Sequence, residues 1–133
     1  MKDQKWRTVK DYPFHESIDS YAILYHDEGF ILFGGWSKPN MVKTVSKLTI
    51  NDEWIRLGEL KEARQGHAVI FAQGAFLVVG GFADFYNISF LTENCHLDID
   101  DSITCETQNP QLELYGFYPE LFLVSANYCK TIS

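Results

Sequence analysis

SYAILYHDEGFILFGG, Ser20 to Gly35, lies without a gap over GHAVIFAQGAFLVVGG, Gly66 to Gly81, when the chain is shifted by 46 positions. Each stretch reads as an apolar run, a tight turn, a second apolar run and a double glycine. An aromatic residue follows each pair, Trp36 in one copy and Phe82 in the other. At this offset Glu28 falls on Gly74, Tyr21 on His67 and Ile18 on Arg64. A third copy, LELYGFYPELFLVSA, runs from Leu112 to Ala126, with Ser125 and Ala126 in place of the glycines. Glycine inside a strand is unfavourable, so two in succession need a reason. At a strand's end they permit positive φ and close approach of a neighbouring backbone. A single copy is a simple hairpin terminus; two copies at a fixed offset, in matching contexts, make a repeat.

Two further strand candidates fill each interval. Val42–Ile50 and Glu53–Leu57 are joined by the turn formers Asn51 and Asp52. Phe90–Leu97 and Ser102–Glu106 are joined across Asp98–Asp101. Each unit of about 45 residues thus holds four short strands in up-and-down order, the size and strand count of a β-propeller blade. The predicted class is all-β, with antiparallel four-stranded blades.

Trp54 to Gly81 resembles a kelch repeat. The matching marks are Trp54, Leu57 and Leu60 in Leu-x-x-Leu, Ala63-Arg64 with Gly66-His67 shortly after, the turn glycine Gly74 and the closing Gly80-Gly81. The unit from Trp6 to Gly35 is similar, with Ile18 and Tyr21 where the Arg and His stand. The resemblance implies a kelch-like β-propeller, of which 1–133 would be a part. Residues 5–9 would be the outer strand of a preceding blade, 21–57 blade one, 67–106 blade two and 112–126 half of blade three. A closed propeller takes about four to eight blades, so this length does not close a ring alone. Open ends would leave strand edges available for self-association. A fragment of a larger propeller protein is the favoured explanation, over assembly of copies or a short open array.

Composition agrees with a packed, sheet-rich domain. The hydrophobic fraction is 46% and the aromatic fraction 15%, rich in β-formers. The net charge of -7 repels phosphate backbones and anionic lipid, which argues against nucleic-acid and membrane partners. No apolar run is long enough to span a bilayer, and the first residues lack the apolar core of a signal peptide.

Three cysteines are present. Cys95 and Cys105 stand symmetrically about Asp100, so a hairpin turning there opposes them, either as a disulfide or as two buried thiols. Cys129 has no evident partner. Asn87-Ile88-Ser89 is an N-glycosylation acceptor triplet at Asn87 in an expected loop. Together the pair and the triplet favour an extracellular or luminal parent over a cytoplasmic one.

No catalytic set emerges. The four histidines lack metal-ligand spacing, and His67 is a repeat position. Asp98–Ser102 opens like a calcium loop but has neither the glycine nor the glutamate such a loop needs, and reads as a polar turn. No phosphate loop, dinucleotide fingerprint or nucleophile elbow occurs. The expectation is a non-enzyme with no cofactor and no metal. A fragment of a galactose-oxidase-like enzyme, which would need copper held by tyrosines and histidines, is the alternative, beside a structural remnant with no binding role. A protein or glycan partner would meet the loops after the double glycines, Trp36–Asn40 and Phe82–Asn87, and the link Gly58–Gln65. Trp36, Phe82, Phe85 and Tyr86 would be aromatic anchors, with Lys38 and Arg64 as polar contacts. The same aromatics would otherwise pack between blades, and Arg64 would make a structural hydrogen bond.

Overall fold

A computed structural model describes residues 8–89 and 91–108. Among them are eight strands and no helix. The strands are β1 (Ala22–Tyr25), β2 (Gly29–Ser37), β3 (Asn40–Thr49), β4 (Trp54–Glu59), β5 (Ala68–Ala72), β6 (Ala75–Val79), β7 (Glu93–Leu97) and β8 (Ile103–Thr107). They form two four-stranded antiparallel sheets, β1-β2-β3-β4 and β5-β6-β7-β8, each in simple chain order. Trp6, the stretch Leu112–Ala126 and Cys129 lie outside the described residues.

The register carries the repeat into three dimensions. Ala22 pairs with Phe33 and Tyr25 with Phe30. The same rows in the second sheet are Ala68 with Val79 and Phe71 with Phe76, each displaced by the offset of 46. The first hairpin turns at Asp27 and Glu28 and the second at Gln73 and Gly74, all four at positive φ. Asp and Gly tolerate this region best. Beyond β2 and β6 the copies diverge. Leu48, opposite Phe30, corresponds to Cys95, opposite Phe76, one position beyond the offset, because the path from β6 to β7 is longer than that from β2 to β3. The fourth strands diverge further because the β3–β4 turn is shorter than the β7–β8 turn.

The sheets lie face to face, with β1 against β5 and β4 against β8. Inner strands therefore meet inner strands and outer meet outer. Alternation supplies the shared core. Ile31, Phe33, Val45 and Leu57 come from one sheet, and Phe76, Val78, Cys95 and Ile103 from the other. Phe33 meets Phe76 with ring centroids 5.4 Å apart. At the outer strands a Cβ on Gly58 would lie 2.4 Å from the Ile103 carbonyl oxygen, so only glycine lets β4 and β8 approach this closely.

Among the described residues, the segment around Tyr12 covers the outer part of the opposite face of the first sheet. Tyr12 stacks edge-on against Trp54 at 5.0 Å and accepts a hydrogen bond from the Ser46 hydroxyl. The Trp54 indole donates to the Lys10 carbonyl, and His15 bonds Thr44. Burial pushes the Tyr12 phenol above its usual range. Over the inner strands Ile23, Tyr25 and Phe30 remain exposed.

One expected loop is shorter than the sequence reading has it. β2 continues through Trp36 and Ser37, and β3 begins at Asn40, so only Lys38 and Pro39 turn, across a cis peptide bond. Trp36 is therefore a strand residue. Pairing extends past the glycines because Trp36 opposes Met41 on one side and bridges Asp19 on the other.

Candidate functional site

The double glycines place the candidate surface. Gly34, Gly35, Gly80 and Gly81 all have positive φ. A Cβ on Gly35 would fall 2.7 Å from the Asp19 carbonyl oxygen, and one on Gly81 would fall 2.3 Å from that of Gln65. Asp19 and Gln65 are themselves repeat-related. Each belongs to the segment that enters its sheet, and each exchanges two backbone hydrogen bonds with the aromatic after the glycines. Trp36 donates to Asp19 at 2.7 Å and Phe82 to Gln65 at 2.8 Å, with return bonds of 3.0 and 3.1 Å. A side chain at the second glycine would displace that crossing. The device therefore fixes Trp36 and Phe82 at the same end of both sheets.

At that end the Trp36 and Phe85 rings meet edge to face, 5.0 Å apart. An open cleft beside them is lined by Trp36, Pro39, Met41, Ala63, Asp84 and Phe85. Phe85 and Tyr86 are 62% and 92% exposed, and Lys38 is exposed as well. Phe82 is half-buried and bridges Gln65 and Ile88. Of the expected anchors, the fold thus brings Trp36 and Phe85 together, leaves Tyr86 and Lys38 at the surface and ties Phe82 into the backbone pairing. The loop is held from below by Asp84, whose carboxylate accepts the backbone N–H groups of Tyr86 and Asn87 at 2.8 Å. Its other oxygen accepts Asn87 Nδ2–H at 2.6 Å. The Asn87 side-chain bond, followed by the Tyr86 N–H, keeps the Asp84 carboxyl below its ordinary range.

Arg64, expected among the polar contacts of a partner, is fully buried instead. Its guanidinium donates to the carbonyls of Gly80 at 3.2 Å and Leu91 at 2.7 Å, and to Glu93 Oε2 at 2.6 Å. The other Glu93 oxygen accepts the Lys61 N–H at 2.5 Å. The Arg64 backbone faces the first sheet, with its N–H on the Val42 carbonyl and its carbonyl on Gly35 N–H. The residue thus ties both sheets to the link between them. A charge taken out of water is tolerable only when paired and hydrogen-bonded, and here Glu93 and two carbonyls do this. Glu93 was not among the sequence candidates. Nothing local marks it, because it opens β7, Glu93–Leu97, beside the polar Asn94 and His96.

His67, next in the same link, donates Nε2–H to the Phe33 carbonyl at 2.7 Å across the sheet boundary. Burial, reinforced by the Arg64 charge and opposed by that hydrogen bond, lowers its pKa to about 4. The imidazole is therefore neutral near pH 7, with the proton on Nε2 and Nδ1 left without a partner. It is built into the fold, as its repeat position predicts.

Cys95 opposes Cys105 directly in the β7–β8 register, as Leu97 opposes Ile103. The two cysteines form a disulfide with Cα atoms 4.0 Å apart. Asp98–Ser102 is a tight turn closed by the Asp98 N–H to Ser102 carbonyl bond, with Asp100 Oδ1 accepting the Ser102 hydroxyl. That bond leads the causes holding the Asp100 carboxyl low. Among the described residues no group of three or more His, Cys, Asp or Glu side chains is placed to hold a metal ion.

No family model and no curated protein matches this chain. Among solved structures it is similar to the structure of YjhT, at 14% identity and a TM-score of 0.62. The match covers 77% of this chain and 34% of the other, so the chain spans about a third of that structure's length. The likeness is one of fold.

Proposed function

We propose that the two sheets are blades of a kelch-like β-propeller, part of a larger ring, and that the protein is a non-catalytic interaction module. The observation that carries this reading is the recurrence of one crossing at one offset, Asp19 over Gly35 and Gln65 over Gly81, in sheets stacked strand upon like strand. A repeat that packs on its own copy extends by the same operation. The face at Ile23, Tyr25 and Phe30, which no sheet among the described residues covers, is where a preceding blade would pack. The buried Arg64–Glu93 pair and His67 serve as mortar between blades.

The binding surface in this reading is the end of the sheets that carries Trp36, Lys38, Phe85 and Tyr86, with Phe82 as a backbone support. Aromatic rings beside a cleft, rimmed by polar groups, are the usual makings of a binding hot spot. The partner is a protein or a glycan. Affinity capture from the source cells, comparing the native sequence with Trp36→Ala, tests the surface. Loss of specific partners with unchanged thermal stability supports it. An unchanged partner set would leave the blades a purely structural role.

A further inference from the structure

We propose that Asn87 carries an N-linked glycan whose first sugar rests on the ring of Phe85. The acceptor triplet is Asn87-Ile88-Ser89, and Phe85 stands two residues before the asparagine. The chain reverses between them, with Ala83 N–H donating to the Asn87 carbonyl at 2.9 Å. Phe85 lies at the middle of that turn and Asn87 at its exit, exposed to solvent. Phe85 touches Trp36 edge to face yet remains 62% exposed, and Tyr86 is 92% exposed. Two large rings left in water beside a glycan acceptor want an occupant of matching shape. A pyranose supplies one, because its flat C–H face stacks on the electron-rich face of an aromatic ring.

The bond already holding Asn87 survives the modification. In the transfer, Asn87 Nδ2 attacks C1 of a polyprenyl-diphosphate-linked oligosaccharide. The Nδ2–C1 bond forms, the bond from C1 to the diphosphate oxygen breaks, Nδ2 loses one of its two protons and the lipid diphosphate leaves. The remaining Nδ2–H can still donate to Asp84 Oδ2, now at 2.6 Å, and fixes the amide beneath the sugar. The acceptor hydroxyl sets the timing. Ser89 is 1% exposed and its hydroxyl donates to Glu62 Oε1. An enzyme that must reach Ser89 therefore acts before this loop packs, on the nascent chain. The buried Cys95–Cys105 disulfide points independently to the oxidising compartment where such transfer occurs.

The inference does not depend on the propeller reading. The test uses the full chain behind a cleavable leader in a secretory cell line, and glycan occupancy is read on total lysate by endoglycosidase-sensitive gel mobility. One glycan is expected on the native sequence and none on Asn87→Gln. An unmodified native sequence overturns the proposal, whether or not the protein is secreted. The stacking is read from thermal unfolding of four purified proteins: glycosylated native, Asn87→Gln, glycosylated Phe85→Ala and the double variant. The glycosylated native form should melt about 2–4 °C above Asn87→Gln. That gap should collapse in the Phe85→Ala background and should survive trimming of the glycan to its first sugar. An equal gap in both backgrounds overturns the contact with Phe85.

Discussion

Phe30 and Phe76 occupy the same place in the repeat, opposite Tyr25 and Phe71 respectively, yet Phe30 is 45% exposed and Phe76 is 1% exposed. The difference lies in what covers the face. Phe76 meets Phe33 from the first sheet and His26 from its turn, whereas no sheet among the described residues covers Phe30. The outer strands of the same row tell a related story. Leu48 and Trp54 in one sheet correspond to Cys95 and Cys105 in the other, and Trp54 meets the ring of Tyr12 rather than a sheet. Identical patterning thus produces core or surface according to neighbours, because burial is a property of packing and not of spelling.

The largest asymmetry should appear where the second sheet is bolted to the link. Ile18 and Ser46 stand where Arg64 and Glu93 stand in the second unit, so the first sheet has no such ion pair. Replacing Glu93 by Ala leaves a buried guanidinium unpaired and should cost about 3–5 kcal/mol. Urea unfolding would read this as a lowered midpoint. A cost under about 1 kcal/mol would mean that water reaches Arg64.

The phenylalanine pair comes next. Phe76→Ala should cost about 3–4 kcal/mol by loss of contacts and creation of a cavity. Phe30→Ala should cost less than about 1 kcal/mol, since much of the ring already faces water. Equal costs would break the comparison and indicate that the Phe30 face is covered in solution.

Acid offers a third contrast, because Tyr21 replaces His67 in the first unit. Unfolded, the His67 imidazole protonates near pH 6.5; folded, it resists until about pH 4. Between those values unfolding takes up a proton, so stability falls as pH drops from 6.5 to 4, by about 3 kcal/mol in all. His67→Gln should flatten that part of the pH–stability curve. A slope equal to that of the native sequence would assign the acid sensitivity to other groups.

The last contrast concerns the hairpin that has a covalent tie. Cys95 and Cys105 are separated by 10 residues, and opening so short a loop should cost about 2–3 kcal/mol. Cys95→Ser with Cys105→Ser should show it in thermal unfolding, and non-reducing peptide mapping of the native protein should recover the linked pair. Two free thiols there would overturn both the tie and the expected loss.

Much of this is legible in the chain itself. The offset between the double glycines gave the sheet boundaries and the order of strands, because a two-residue period and tight turns are local properties. The symmetry about Asp100 gave the Cys95–Cys105 register, because a hairpin pairs residues equidistant from its turn. Arg64 was legible as a repeat position, but its partner was not. Glu93 lies far along the chain, and its carboxylate reaches Arg64 only once the second sheet has folded back over the link. The turn at Lys38 and Pro39 escaped the sequence reading for a similar reason, since strand pairing past Gly35 depends on Asp19 arriving from outside the hairpin.

The sequence by itself determined an all-β fold, its two four-stranded units, the register that opposes Cys95 to Cys105 and the double glycines that mark the repeat, all of which follow from alternation, turn chemistry and the absence of a Cβ. Only the tertiary structure decided which copy of each position is buried, that Trp36 meets Phe85, and that Arg64 is an internal tie. Those outcomes depend on which surfaces the two sheets exclude from water when they stack, and no local pattern encodes that.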